Sequence, residues 1–167
     1  MTAGRLAVIL ALWSACGYRP LSSTLPGGKH GVVVVSPDTS RTDEPELSAM
    51  LTTELCRALG QAGIDVSTVG RGETVLRTRV LGLDGLDPIV SAGRRVAARR
   101  LQLRLELTLS DARDGEALWR SGLLELEQLW PQAINDPLRS ETARRRTLQR
   151  LSCNAANLAV RRLTTPR

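Results

Sequence analysis

The 167-residue sequence has few of the side chains on which catalysis and nucleic-acid binding usually depend. It contains no Phe, one Tyr and three Trp, whereas proteins that bind nucleic acid commonly stack bases on aromatic side chains. The single histidine, His30, can form neither a His-based triad nor a cluster of His metal ligands. No glycine-rich phosphate loop of familiar spacing occurs. We therefore predict no enzyme activity, no metal and no nucleic-acid partner.

Lysine is almost absent as well, because Lys29 is the only one, although the formal net charge is +6. Arginine therefore carries nearly all the positive charge. Its planar guanidinium can hold a carboxylate or a phosphate through two hydrogen bonds. An arginine-favouring genome would produce the same bias, so the charge alone identifies no partner.

The N-terminus has the organisation of an export signal. Arg5 precedes an apolar run over residues 6–13, which is shorter than the roughly 20 residues that a membrane-spanning helix needs. Ser14-Ala15-Cys16 follows and resembles the lipobox of bacterial lipoproteins, with Trp13 where Leu is usual. We predict a signal peptide over residues 1–15 and a diacylglycerol and an N-acyl chain on Cys16. The alternative is an ordinary secretory signal with an incidental cysteine.

The mature chain divides into a tether and one domain. Residues 16–30 are rich in turn-forming residues and form the predicted lipidated tether. Residues 31–165 are expected to fold as a single α/β domain, since 42% of the chain is hydrophobic and 24% is charged, a balance that supports an ordered core. Gly17 after the cysteine suggests sorting to the outer membrane, with the domain in the periplasm.

Hydrophobic periodicity predicts the elements of this domain. They are a strand over 31–36, a helix from Asp43 or Glu44 to Gly63, strands over 64–69 and 74–83, a loop over 83–93, a strand over 100–109, a turn at Asp114-Gly115, a strand over 118–127 and a helix over 138–163. The predicted fold class is α+β. We expect a two-layer sandwich, in which a mostly antiparallel sheet of four or five strands carries two helices on one face.

The other face of this sheet is expected to be open and to carry arginines. The strand residues alternate between leucines for the core and polar residues for the open face. This places Arg77, Arg79, Arg100 and Arg104 on the open face. A solvated strand face would show the same pattern. Cys56 and Cys153 lie on the two helices, and we expect both to point away from the core; free thiols, a mutual disulfide and a bond to a partner all stay open.

Three motifs in order carry a family resemblance. They are Cys16-Gly17-Tyr18 at the start, Thr42-Asp43-Glu44-Pro45-Glu46-Leu47 at the first helix and Asp114-Gly115-Glu116-Ala117-Leu118-Trp119 in the hairpin. Their order and spacing over about residues 16–163 resemble the LptE family of lipopolysaccharide-assembly lipoproteins.

The resemblance implies a non-catalytic lipoprotein of the outer membrane. Such a protein binds and plugs the lipopolysaccharide-exporting β-barrel, and assists its assembly and the insertion of lipopolysaccharide at the cell surface. The implied partners are the barrel, lipopolysaccharide and, through the lipid anchor, the membrane. Arg77, Arg79, Arg100 and Arg104 are then candidates for binding the phosphates of lipid A. The alternative function is that of a scaffolding or accessory lipoprotein in another envelope complex.

Overall fold

The computed structural model describes residues 25–26, 31–34, 37–38, 42, 44–67, 72–90, 96–132 and 136–165. The predicted signal peptide, the predicted lipidation site Cys16 and most of the predicted tether lie outside these residues.

Six strands and two helices make up the described chain. They are β1 Val32–Val34, α1 Pro45–Gln61, β2 Val66–Ser67, β3 Thr74–Val90, β4 Val96–Asp111, β5 Ala117–Arg120, β6 Leu124–Pro131 and α2 Pro137–Thr164. Both helices pack on one side of the sheet, and the predicted α+β class is confirmed. Neither helix is both long and apolar enough to cross a bilayer within the described part of the chain.

The sheet is mixed, with β4 at its centre. The strand order is β2-β1-β3-β4-β5, and β6 also pairs with β4. β1 runs parallel to both β2 and β3, whereas β3, β5 and β6 all run antiparallel to β4. Because β5 pairs with residues 108–110 and β6 with residues 98–105, these two strands follow one another along the same edge of β4.

The core lies between this sheet and the helices. Leucines at every second position of β4 are at most 3% exposed and form its floor: Leu101, Leu103, Leu105, Leu107 and Leu109. The helices contribute their own buried stripes, which include Leu51 and Leu55 of α1 and Leu151 and Ala155 of α2. The buried face of β4, which follows a period of two, and the buried stripes of α1 and α2, which follow the helical period, thus pack together in one apolar layer.

Local sequence sets where each helix begins and ends. α1 begins at Pro45, whose ring fixes a helical φ where no backbone N–H is needed. It is terminated at Gly63, whose φ of 76° is accessible to glycine at little cost. α2 begins after Asp136, whose carboxylate accepts a hydrogen bond of 2.9 Å from the backbone N–H of Arg139.

The two helices lie side by side and run in the same direction. Arg144 and Arg145 of α2 form ion pairs with Glu44 and Glu46 at the start of α1. The Arg144 guanidinium also lies 5.5 Å from the centre of the Trp130 ring, which links both helices to β6. These contacts fix the helix layer in register with the sheet.

The loop predicted over residues 83–93 is wrong as far as residue 90. β3 continues through Val90, and its residues 83–86, 89 and 90 pair with β4. Register shifts between Val80 and Gly82 and again between Leu86 and Val90 accommodate the turn-forming residues. Pairing with the regular alternation of β4 therefore overrides the local preference of Gly and Pro for turns.

The single strand predicted over residues 118–127 is interrupted at Ser121–Leu123. Gly122 has a φ of 65°. The Oγ atom of Ser121 accepts a 2.9 Å hydrogen bond from the buried backbone N–H of Leu107, in the place of a backbone carbonyl of the sheet. Arg162 of α2 donates to the carbonyl of Ser121 at 3.0 Å. The interruption shifts the alternation of side chains, so that Trp119 and Leu124 both face the core.

We expect Ser121→Ala to lower the free energy of unfolding by about 1–3 kcal/mol, because it leaves the buried N–H of Leu107 without its acceptor. Chemical denaturation of the purified protein measures this change. Thr53→Ala is the matched control, since it removes an exposed hydroxyl that bonds only to its own helix, and should change the value by less than about 0.5 kcal/mol. Equal effects of the two substitutions would contradict the role given to Ser121.

Candidate functional site

The candidate site is the side of the sheet that faces away from the helices, here called the outer sheet face. Register and burial assign its members. They are Arg77, Arg79, Gly82 and Asp84 of β3; Arg100, Gln102, Arg104, Glu106 and Thr108 of β4; Arg120 of β5; and Glu125, Glu127 and Leu129 of β6. All four arginines predicted for the open face lie on it. Their role in binding stays a prediction.

Acidic side chains neutralise one part of this face. Arg104 donates to Asp84 at 2.7 Å, and both side chains are almost half exposed, at 41% and 47%. Arg100 lies 3.4 Å from Glu127 on the neighbouring strand. Exposed pairs of this kind stabilise a fold by only about 0–1 kcal/mol each. Their main consequence is that Arg100 and Arg104 present less free positive charge than the sequence indicates.

Gly82 makes room for the Arg104 guanidinium. A Cβ atom at this position would lie 3.0 Å from Nη2 of Arg104 and 3.3 Å from Oδ2 of Asp84. The absence of a side chain lets the guanidinium lie across the β3 backbone beside its carboxylate partner. The same glycine follows a register shift in β3, so one residue serves both the strand irregularity and the ion pair.

The other part of the face keeps its positive charge. Arg77 pairs in register with Thr108, and Thr108 pairs with Arg120, so these three residues form a row across β3, β4 and β5. Both arginines are exposed, and neither has an acidic partner among the residues that the structure describes. Cα atoms two strands apart lie about 10 Å from one another. Two guanidiniums at that spacing can reach one phosphate group from opposite sides.

Arg120 is the residue that sequence reasoning missed. Side-chain alternation over residues 118–127 does not assign each residue to one face of the sheet, because the interruption at Ser121–Leu123 exchanges the faces on either side of it. The Thr108 pairing, which only the folded sheet supplies, assigns Arg120 to the outer sheet face. Arg79 lies next to this row, opposite Glu106, and is intermediate between the two parts of the face.

The described part of the chain holds no group of three His, Cys, Asp or Glu side chains placed to bind a metal ion. A shallow crevice between α1, α2 and β5 has no room for a water molecule and is lined by apolar residues such as Leu59, Leu107 and Trp119.

Cys56 and Cys153 are free thiols. The expectation that both would point away from the core is wrong for Cys56, which is half-buried and packs against the core; this burial raises the pKa of its thiol. Arg57 of α1 donates to Sγ of Cys153 at 3.1 Å, so Cys153 lies on the side of α2 that α1 approaches. The contact between the two helices therefore includes the side of α2 that carries Cys153, which the periodicity of each helix taken alone does not reveal.

Comparison with known proteins identifies the family and the fold. No curated protein matches the sequence. The model of the LptE family, described as lipopolysaccharide-assembly, matches residues 31–163, which include both helices.

Three solved structures have a similar fold. Lipoprotein B from Nitrosomonas europaea aligns with a TM-score of 0.55 at 16% identity, covering 87% of this chain and 88% of that one. Rare lipoprotein B from Shewanella oneidensis aligns at 0.54 and 14% identity, covering 79% and 92%. A minor lipoprotein from Acinetobacter baumannii aligns at 0.54 and 14%, covering 80% and 90%. With the family model matched from the first strand to the end of the second helix, the chain belongs to the LptE family of lipopolysaccharide-assembly proteins.

Proposed function

We propose that this chain is an outer-membrane lipoprotein that binds and plugs the lipopolysaccharide-exporting β-barrel and assists its assembly. The domain is anchored through lipid on Cys16 and faces the periplasm. It performs no catalysis and acts by binding. The observation that carries this proposal is the family match over residues 31–163, since the family is an accessory one associated with the lipopolysaccharide transport barrel.

The outer sheet face supports a direct contact with lipopolysaccharide. Lipid A carries phosphates, and the row of Arg77, Thr108 and Arg120 offers two guanidiniums and a hydroxyl to such a group. The neighbouring ion pairs, Arg104 with Asp84 and Arg100 with Glu127, hold the remaining arginines in place. We assign the Arg77–Arg120 row as the principal phosphate contact and the paired arginines as a weaker flank.

A mild-detergent pull-down of the full-length lipidated protein from its own outer membrane tests the proposed partner. We expect the lipopolysaccharide-exporting barrel in roughly equimolar amount, identified by mass spectrometry. An unrelated lipoprotein of the same membrane, carrying the same tag, controls for barrel captured nonspecifically. Recovery of another envelope complex without the barrel would favour the alternative, an accessory role in that complex.

We expect Cys16→Ser to abolish lipidation and to release the chain from the membrane fraction when the envelope is washed at about 1 M salt, because stable anchoring requires more than one acyl chain and salt screens the remaining charge contacts. Mass spectrometry of the mature N-terminus and fractionation of the envelope measure the two effects. Cys153→Ser, which removes a thiol of the folded domain, should leave both unchanged. A Cys16→Ser chain that keeps its lipid mass would contradict the predicted anchor.

Charge-reversal variants should distinguish how much each part of the outer sheet face contributes to lipopolysaccharide binding. We expect Arg77→Glu with Arg120→Glu to weaken binding of lipopolysaccharide about a hundredfold, since each charge-assisted hydrogen bond contributes roughly 1.5–3 kcal/mol. Arg100→Glu with Arg104→Glu should weaken it less, because those arginines already have acidic partners. Binding to immobilised lipopolysaccharide gives the affinities.

Arg113→Glu is the matched control, because Arg113 lies in the exposed turn after β4 and outside the face. Circular dichroism of each variant checks that the domain stays folded. Unchanged binding in the folded Arg77 and Arg120 double variant would remove the outer sheet face from the proposed function.

A further inference from the structure

Four exposed arginines lie along α2, in a row here called the basic stripe. It consists of Arg139, Arg146, Arg150 and Arg161. At 100° per residue these four positions fall within an arc of about 60°, and at 1.5 Å per residue they extend over about 33 Å. All four are exposed. The stripe is therefore a straight, one-sided array of guanidiniums.

The stripe points directly away from the sheet. By the same count, buried α2 residues such as Leu148, Leu151 and Ala155 lie about 120–180° from Arg139. The outer sheet face is on the other side of the same two layers. The domain thus carries one arginine surface on its helix layer and another on its sheet, and the two face in opposite directions.

Asp136, whose carboxylate accepts a hydrogen bond from the backbone N–H of Arg139, is the acidic residue next to the stripe; among the described residues, no ion pair involves Arg146, Arg150 or Arg161. Glu141 is the only acidic residue of α2, and it lies on the opposite side of the helix by the same count. On the neighbouring α1, Glu46 is paired with Arg145 and Glu54 with Arg57. This differs from the outer sheet face, where Asp84, Glu106, Glu125 and Glu127 alternate with the arginines.

We propose that the basic stripe docks on the anionic phospholipid surface of the membrane to which the chain is tethered. The inference rests on the lipid anchor of the proposed function and concerns the chain before it joins its barrel. A row of cationic side chains attracts an anionic bilayer surface through the sum of several weak interactions.

The position of the anchor makes this contact geometrically accessible. Leu25 is 3% exposed and belongs to the core cluster, so the domain is fixed to the chain at that point. Eight residues separate it from Cys16, and the nine Cα–Cα steps between Cys16 and Leu25 span at most about 32 Å. The anchored domain therefore stays within about one helix length of the bilayer. Docking through the stripe would turn the outer sheet face, with Arg77 and Arg120, away from the membrane.

Depth-dependent fluorescence quenching tests this orientation in the full lipidated chain. A fluorophore is attached to Asn154→Cys, an exposed position on α2 between Arg150 and Arg161, in a chain that also carries Cys56→Ser and Cys153→Ser. A second sample carries the fluorophore at Glu106→Cys on the outer sheet face. Both samples are reconstituted into vesicles that contain a lipid with a quencher on its headgroup. The neutral vesicles are made of phosphatidylcholine, and the anionic vesicles also contain about 30% phosphatidylglycerol, which gives the surface a negative potential.

We expect quenching at position 154 to be at least about twofold stronger than at position 106 in the anionic vesicles, and about equal in the neutral ones. Raising the salt to about 1 M should remove the difference, because the screening length then falls to about 3 Å. Arg146→Glu with Arg150→Glu should remove it as well. Arg77→Glu with Arg120→Glu, the same charge change on the opposite face, should leave it intact.

Equal quenching at the two positions in anionic vesicles would overturn the proposal. A difference that arises only when lipopolysaccharide is added would overturn it too, and would assign the stripe to that lipid. The proposal would also be overturned if the Arg146 and Arg150 variant no longer recovered the barrel in the pull-down while its quenching stayed unchanged, since the stripe would then bind the barrel.

The anchor is checked separately in the same samples by mass spectrometry of Cys16. A chain without lipid contradicts the proposed function. If that unlipidated chain floats with phosphatidylglycerol vesicles, and the Arg146 and Arg150 variant does not, the membrane contact of the stripe is still supported. If the unlipidated chain fails to float, the proposal is overturned.

Discussion

The rest of the structure depends on the antiparallel pairing of β4 with its neighbours. β4 is hydrogen-bonded to β3, β5 and β6, and its strict alternation sends five leucines into the core and the intervening polar residues to the outer sheet face. A slip of one residue in this register would exchange the two sets. The burial of the leucines therefore also fixes the positions of the charges, and the stability of the core and the geometry of the site have one common cause.

That pairing explains why the two arginine surfaces differ. On the sheet, neighbouring strands bring acidic residues beside arginines, as with Arg104 and Asp84 or Arg100 and Glu127, so the face is partly neutral and rigid. On α2, charges depend on helical spacing, and Arg146, Arg150 and Arg161 form no ion pair with another described residue, whereas Arg139 lies next to the capping Asp136. The sheet face suits a specific phosphate contact at Arg77 and Arg120, and the helix suits a broad electrostatic one.

Membership of the LptE family and the geometry support one view of how such a protein works. Its described residues form a two-layer support that carries two arginine-bearing surfaces. We propose that the helix layer serves attachment and orientation, whereas the sheet face contacts lipopolysaccharide. The arginine-rich composition then has a physical use in both, because a guanidinium binds phosphate oxygens in two-point fashion.

The sequence by itself determined the class of the fold, the two helices and the floor of the core, because periods of 3.6 and two are visible in the chain. It also predicted that Arg77, Arg79, Arg100 and Arg104 share a face. Only the tertiary structure decided that β3 runs through Gly85 to Val90, that the last strand breaks at Ser121, and that Arg120 joins Arg77 across Thr108. These features depend on pairing between residues far apart in the chain. Local turn propensity predicts a loop at Gly85 to Val90, and hydrophobic periodicity predicts an unbroken strand through Ser121. Pairing across strands also decided which arginines are neutralised, since a carboxylate distant in sequence becomes the nearest neighbour only in the folded sheet.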